Sequence, residues 1–122
     1  MRARILIVDD EEVVRSIAER VLSDAGFDVI CATSAATALE LLQAREIDIV
    51  VTDVVMPEMD GFTLGAQIAV LRPHTRVVYM SGRLPAHENT AGNVLEKPFT
   101  PSELVHAVES VLAPPVENPR PS

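Results

Sequence analysis

Tryptophan is absent from this chain of 122 residues, which has one tyrosine and three phenylalanines. With aromatics at 3%, the residues needed to sandwich a flavin ring are missing. The single cysteine, Cys31, cannot form an internal disulfide and reads as a small apolar residue. A zinc site needs several Cys or His ligands at short spacing, and His74, His87 and His106 are scattered. Lysine is equally scarce: Lys97 is the only one. Ten basic residues face eighteen acidic ones, a net charge of −8. Without a cluster of Lys and Arg, direct binding to DNA or RNA is not expected. No apolar run approaches the ~18 residues of a membrane helix, and the N-terminus lacks the shape of a signal peptide. The expected compartment is the cytoplasm, with no membrane insertion.

What is present is an ordinary core-forming composition, 48% hydrophobic and 23% charged. At roughly 100–200 residues per domain, the chain makes one domain. Arg4 to Val8 is a continuous apolar, β-branched run, the mark of a strand buried on both faces. Val14, Ile17, Ala18, Val21 and Leu22 follow at helical spacing, and Gly26 closes that helix. Asp28 to Ala32 reads as a second strand. Ser34 can cap a second helix with the stripe Ala38, Leu39, Leu41 and Leu42.

Ile47 to Thr52 reads as a third strand ending at Asp53. The loop Val54 to Gly61 leads into a third helix running through Leu71, with Pro73 just beyond. Arg76 to Met80 is a fourth strand ending at Ser81, and Val94 to Glu96 a short fifth ending at Lys97-Pro98. Thr100-Pro101-Ser102-Glu103 is a capping box opening a last helix with Leu104, Val105, Val108 and Leu112. The Pro-rich tail 113–122 is expected to be disordered. Alternating strands and helices imply a parallel sheet covered on both faces. Right-handed crossovers make it doubly wound and flavodoxin-like, with ligands at the carboxyl ends of the strands.

The polar residues gather at those ends: Asp9 and Asp10 after strand 1, Asp53 after strand 3, Ser81 after strand 4, Lys97 after strand 5. In a flavodoxin-like order strands 1 and 3 are neighbours, so three carboxylates converge. Unpaired, they would repel. A hard divalent cation resolves this, since Mg²⁺ takes oxygen ligands, often one or two carboxylates with a phosphoryl oxygen. Lys97 and Ser81 could bind a phosphoryl group held on one carboxylate. Glu11 and Glu12 read more simply as favourable charge at a helix N-terminus.

With these residues in view, the chain resembles a response-regulator receiver domain of two-component signalling. The resemblance is carried by Ile5 to Glu11, by Asp53 to Gly61, by Met80-Ser81-Gly82 and by Lys97-Pro98-Phe99. Residues 1–112 would form the receiver, and the stretch from Tyr79 to Phe99 is most similar to receivers attached to hybrid histidine kinases. The resemblance implies a five-stranded sheet in the order 2-1-3-4-5. It implies Asp53 as phosphoacceptor, with Asp10 binding Mg²⁺ (or Mn²⁺) directly, Asp9 through water, and the Val55 carbonyl as a further ligand beside Asp53. Ser81 would hydrogen-bond a phosphoryl oxygen, Lys97 would pair with Asp53 and then with the phosphoryl group, and Val54, Val55 and Gly82 would line its site. Pro57 and Gly61 would shape the loop, and Lys97-Pro98 would be a cis peptide. The implied partners are a histidine kinase or histidine phosphotransfer protein, then a downstream protein. The chain would be no enzyme beyond accepting a phosphoryl group and slowly losing it.

The chain departs from the family pattern twice. The aromatic usual three residues before the Lys is Val94 here, and Tyr79 does not match that position. Only sixteen positions separate Ser81 from Lys97, so the fourth helix, between strands 4 and 5, is expected to be shortened or absent. Arg83, two positions after Ser81, could face the phosphoryl site. Both departures lend some support to an interaction module that works without phosphorylation. An Asp-nucleophile phosphohydrolase is a weaker alternative. Such enzymes place a general acid two positions after the nucleophile, and Val55 there cannot transfer a proton.

Overall fold

The computed structural model describes residues 2–82 and 94–112. Five strands, β1 (Arg4–Val8), β2 (Asp28–Ala32), β3 (Ile49–Asp53), β4 (Arg76–Ser81) and β5 (Val94–Glu96), form one parallel sheet in the order β2-β1-β3-β4-β5. This is the doubly wound, flavodoxin-like arrangement that the alternation of elements implies. Register runs from Ile5 beside Ile49 to Val8 beside Thr52, and on to Asp53 beside Met80 and Ser81 beside Glu96. The third strand begins at Ile49, two residues later than the apolar run suggests. Ile47 is buried, but its carbonyl accepts from Thr75 Oγ1 at 2.7 Å, and the Asp48 carboxylate accepts from the Arg4 N–H at 2.7 Å. Both tie the approach to β3 to the elements beside it, and the Asp48 main chain already bonds to Arg4 and Arg76. The expected shortening of the helix after β4, Arg83 and the tail 113–122 lie outside the described residues.

Among the described residues there are four helices: α1 (Glu12–Asp24), α2 (Ala35–Ala44), α3 (Gly61–Leu71) and α4 (Pro101–Leu112). Their ends follow local chemistry. The Ser34 hydroxyl accepts from the Thr37 N–H, and the Asp60 carboxylate from the Thr63 N–H at 2.8 Å, each satisfying a donor the helix leaves open. Thr100 and Glu103 bond reciprocally at α4, at 2.9 and 3.1 Å, a complete capping box. After α1 the chain turns through Gly26 at φ 102°, a left-handed conformation that side chains rarely adopt.

The sheet separates two cores. On one face Leu6, Val8 and Val50 pack against Ala38 and Leu42 of α2 and Leu64 and Ile68 of α3. On the other, Ile5, Ile7, Ile49 and Val51 pack against Ala18 and Leu22 of α1 and Leu104 and Val108 of α4. Burial on both faces explains why the strands are continuous apolar runs. Ile17 differs from its expected place in the α1 stripe, being 54% exposed; with Val13 it faces outward near the strand ends. No helix among the described residues is long and apolar enough to cross a membrane.

One contact between sheet and helix is unusually close. Tyr79 of β4 packs against Phe62 with ring centroids 4.6 Å apart and the rings tilted by 45°, and its ring and hydroxyl press on Gly65 of α3. A Cβ on Gly65 would collide with the hydroxyl and come 3.0 Å from Cζ. Burial also pushes the Tyr79 phenol above its ordinary pKa. Gly65→Ala is therefore expected to cost about 1–3 kcal/mol through overpacking, read from urea unfolding. Adding Tyr79→Phe, which removes the hydroxyl, should recover part of the loss. A Gly65→Ala protein as stable as wild type would contradict the close approach.

Candidate functional site

The alternation of side chains along a strand decides what meets at the carboxyl end of this sheet. Ile5 and Ile7 face the α1–α4 side, and Asp9 continues that row. Ile49 and Val51 lead in the same way to Asp53, and Leu95 leads to Lys97. The row of Val77 and Tyr79 faces the α2–α3 side and ends at Ser81. Parity thus sets two carboxylates and the one ammonium on a common face, with a hydroxyl at the rim beside them.

Lys97 Nζ lies 3.5 Å from Asp9 Oδ2 and 3.5 Å from Asp53 Oδ1. Asp9 is fully buried and Asp53 is 8% exposed, whereas Asp10 is open to solvent. One carboxylate oxygen from each of Asp9, Asp10 and Asp53 falls within 4.8 Å of the others. Asp9 Oδ1 accepts from the Glu11 N–H at 2.8 Å. Its Oδ2 is buried without a hydrogen-bond partner among the described residues. Burial, the largest influence, raises the Asp9 pKa above the ordinary aspartate range; the Glu11 N–H and Lys97 oppose that, and Asp53 and Asp10 add to it.

The backbone that carries these groups is pinned. The Val54 N–H donates to the Met80 carbonyl at 3.0 Å, and the Lys97 N–H to the Ser81 carbonyl at 2.8 Å. The Val55 N–H donates to Asp53 Oδ1 at 3.4 Å. The loop after Asp53 is drawn back by the Gly61 N–H, which donates to the Val54 carbonyl at 2.7 Å. A Cβ on Gly61 would collide with the Asp53 carbonyl oxygen and meet Val54 Cα at 3.0 Å. Because those atoms are backbone, nothing there can swing aside. Met56 is buried in the α2–α3 core and anchors the loop, while Val55 is 76% exposed. The Lys97-Pro98 peptide is cis. Pro57 lies exposed in the same loop.

Two contributors carry no legible sequence signal. Arg15, on the first turns of α1, donates from a terminal guanidinium nitrogen to the Asp9 carbonyl at 2.7 Å. Thr52, wholly buried, donates its hydroxyl to the Asp53 carbonyl at 3.0 Å. Both hold main chain beside a carboxylate, a task that any well-placed donor performs. Of the residues singled out from sequence, Asp9, Asp10, Asp53 and Lys97 form the charged cluster. Ser81 stands at its rim, buried, and Gly82 has open space where a Cβ would stand. His106 is exposed on α4.

The response regulator receiver domain family matches residues 5–109, and the chain belongs to it. It is 37% identical over 123 residues to the DNA-binding transcriptional regulator NtrC of Rhizobium meliloti, covering 96% of this chain and 25% of that protein. It is 38% identical over 120 residues to the sensor kinase CckA of Brucella abortus, covering 90% of this chain and 12% of that protein. The chain therefore spans a quarter or less of the length of these curated relatives. Its fold matches the signal receiver domain of an HD domain-containing protein from Pseudomonas fluorescens Pf-5, with a TM-score of 0.83 and 32% identity over 92% of this chain and 95% of that one. The chain is thus a receiver domain of two-component signalling, with relatives inside sensor kinases as well as in regulators.

A buried carboxylate beside two others costs the fold stability. Asp9→Asn keeps an acceptor for the Glu11 N–H and removes the charge. It is expected to raise the melting temperature of the metal-free protein at neutral pH by about 4 °C, the shift of about 1 kcal/mol in a domain of this size. An unchanged or lower value by calorimetry would contradict that reading.

Proposed function

We propose that this receiver is a phosphoacceptor, with Asp53 as the nucleophile and Mg²⁺ (or Mn²⁺) as its cofactor. The observation that carries the reading is the placement of Lys97 Nζ at 3.5 Å from both Asp9 and Asp53, within a cluster of three carboxylates. The donor set fits a hard cation: all oxygens, close together, one of them buried with the Lys97 ion pair and no hydrogen bond among the described residues. Asp9, Asp10, Asp53 and the main-chain carbonyl of Val55 would hold it. When bound, it would supply charge neutralisation for the incoming phosphoryl oxygens.

The chain's own groups do the rest. A carboxylate oxygen of Asp53 attacks the phosphorus of a partner's phosphohistidine. The O–P bond forms as the N–P bond breaks, and the leaving electron pair returns to the imidazole nitrogen. Lys97 exchanges its contact with Asp53 for one with a phosphoryl oxygen. The N–H groups of Val55 and Gly82 and the Ser81 hydroxyl line the space such a group would take, and Val54 fixes the strand end beside it. Pro57 and Gly61 hold the loop back so that the mouth stays open. Val55, apolar and two residues beyond Asp53, offers no proton for turnover of an external substrate, so we do not read the chain as a phosphohydrolase.

Exposed apolar residues frame the mouth. Val13, Ile17 and Val55 are 69%, 54% and 76% exposed. A cavity of about 350 Å³ lies beside them, lined by Val14, Ile17, Lys97, Pro98 and Phe99. Such a rim suits a histidine kinase or phosphotransfer protein presenting its phosphohistidine, with a downstream protein reading the product.

Incubation with acetyl phosphate and Mg²⁺ followed by intact-mass measurement tests the reading. One added phosphoryl group is expected, absent in Asp53→Asn and absent without the metal. Addition that persists in Asp53→Asn would overturn the assignment. Should wild type stay unmodified by the small donor, transfer from a phosphorylated histidine kinase decides; failure there too would favour an interaction module that works without phosphorylation.

A further inference from the structure

Among the described residues, α2, α3 and α4 each open on a side-chain cap, supplied by Ser34, Asp60 and Thr100. Helix α1, which begins at the acidic mouth, does not. Its cap position is Glu11, extended at φ −96° and ψ 121°, and the Glu11 side chain makes no capping hydrogen bond. The turn that carries Asp9 and Asp10 thus lacks the usual fastening. Asp10 is exposed, and its carboxylate is placed by the peptide that joins it to Asp9.

Arg15 supplies the fastening from inside the helix. Side chains on a helix lean toward its N-terminus, so a long one on the first turns can reach back to the chain that leads in. The Arg15 N–H closes an early turn on the Glu11 carbonyl at 3.1 Å, and its guanidinium returns to the Asp9 carbonyl at 2.7 Å. That oxygen belongs to the Asp9–Asp10 peptide. The Asp9 N–H donates to the Ala32 carbonyl at 3.3 Å, and Asp9 Oδ1 accepts from the Glu11 N–H at 2.8 Å. Both peptides of Asp9 and one of its carboxylate oxygens are thereby oriented, and Oδ2 is left to face Lys97 and the cluster.

We infer that Arg15 is a positioning residue for the cation: it fixes the Asp9–Asp10 peptide, hence the spread of the two carboxylates, and Mg²⁺ affinity depends on it. This rests on Mg²⁺ being the cofactor of the site, as proposed above. Groups that orient the ligands of a metal typically govern its affinity by about 10–100-fold. Charge would act in the opposite direction. A guanidinium beside the site repels a divalent cation, so a role through charge alone means that removing Arg15 tightens binding. The bond to a carbonyl, rather than to a carboxylate oxygen, marks the role as one of geometry.

Isothermal titration of the full chain with MgCl₂, without any phosphodonor, tests this, beside the melting temperature of each variant free of metal. Arg15→Met should bind Mg²⁺ about tenfold or more weakly than wild type. Arg15→Lys, which keeps a donor on a long stem, should recover part of that affinity. Arg20→Met removes the same charge from an exposed position of the same helix and should bind as wild type does. If Arg15→Met fails to fold, Arg15→Gln, shorter and neutral, takes its place beside Arg15→Lys. Wild-type binding with an unchanged or tightened affinity in the Arg15 variants would overturn the inference and leave the cofactor reading standing. That holds even if their melting temperatures fall, since a merely structural contact gives that result. A wild-type chain that takes up no Mg²⁺ would overturn both.

Discussion

Within 4.8 Å of one another stand oxygens of Asp9, Asp10 and Asp53, and a single ammonium, Lys97, reaches two of them at 3.5 Å. One positive charge cannot neutralise three negative ones, and burial of Asp9 sharpens the imbalance by removing water from its carboxylate. Much of the remaining architecture serves to keep this arrangement in place. Arg15 and the Glu11 N–H hold the main chain and one oxygen of Asp9, and Thr52 and Gly61 fix the carbonyl and loop of Asp53. Hydrophobic burial supplies the stability that lets the fold carry such a cluster, through apolar cores on both faces of the sheet.

The sheet accomplishes the gathering with simple geometry. Strands β1 and β3 are neighbours only because the chain crosses over through helices, and their ends come together from positions 9 and 53. Strand alternation then points Asp9, Asp53 and Lys97 to one face and brings Ser81 to the rim from the other. Shifting the register of any strand by one residue would turn its charged group into the opposite core. The apolar alternation that fixes register and the charged residues that give the site its chemistry are therefore parts of one pattern.

Much of this was legible in the residues themselves. The continuous run Arg4 to Val8 marks a strand buried on both faces, and Ser34 and the Thr100–Glu103 box place helix starts where they are observed. The four charged residues of the cluster were legible too, because Asp9, Asp53 and Lys97 each directly follow or close a strand and Asp10 stands next to Asp9. Contacts that depend on packing were not. Nothing in the order of residues says that the Arg15 guanidinium folds back to the Asp9 carbonyl, or that Tyr79 needs Gly65 to be bare. Those depend on how two elements approach in space. The start of β3 was read two residues early because Ile47 is apolar and buried, yet its carbonyl is taken by the Thr75 hydroxyl rather than by a neighbouring strand. Burial and ladder pairing are separate properties, and an apolar run reports only the first.

The central claim is that the carboxylate cluster is held together against its own repulsion and is completed by a divalent cation. Its most direct measurement is the melting temperature of wild type and of Asp9→Asn across a Mg²⁺ titration in the absence of any phosphodonor. A cation that binds the native cluster and not the unfolded chain stabilises the fold with the logarithm of its concentration once the site begins to fill. The account predicts a rising melting temperature for wild type and a much weaker rise for Asp9→Asn. A wild-type value that does not move with Mg²⁺, or one that moves equally in the variant, would contradict it.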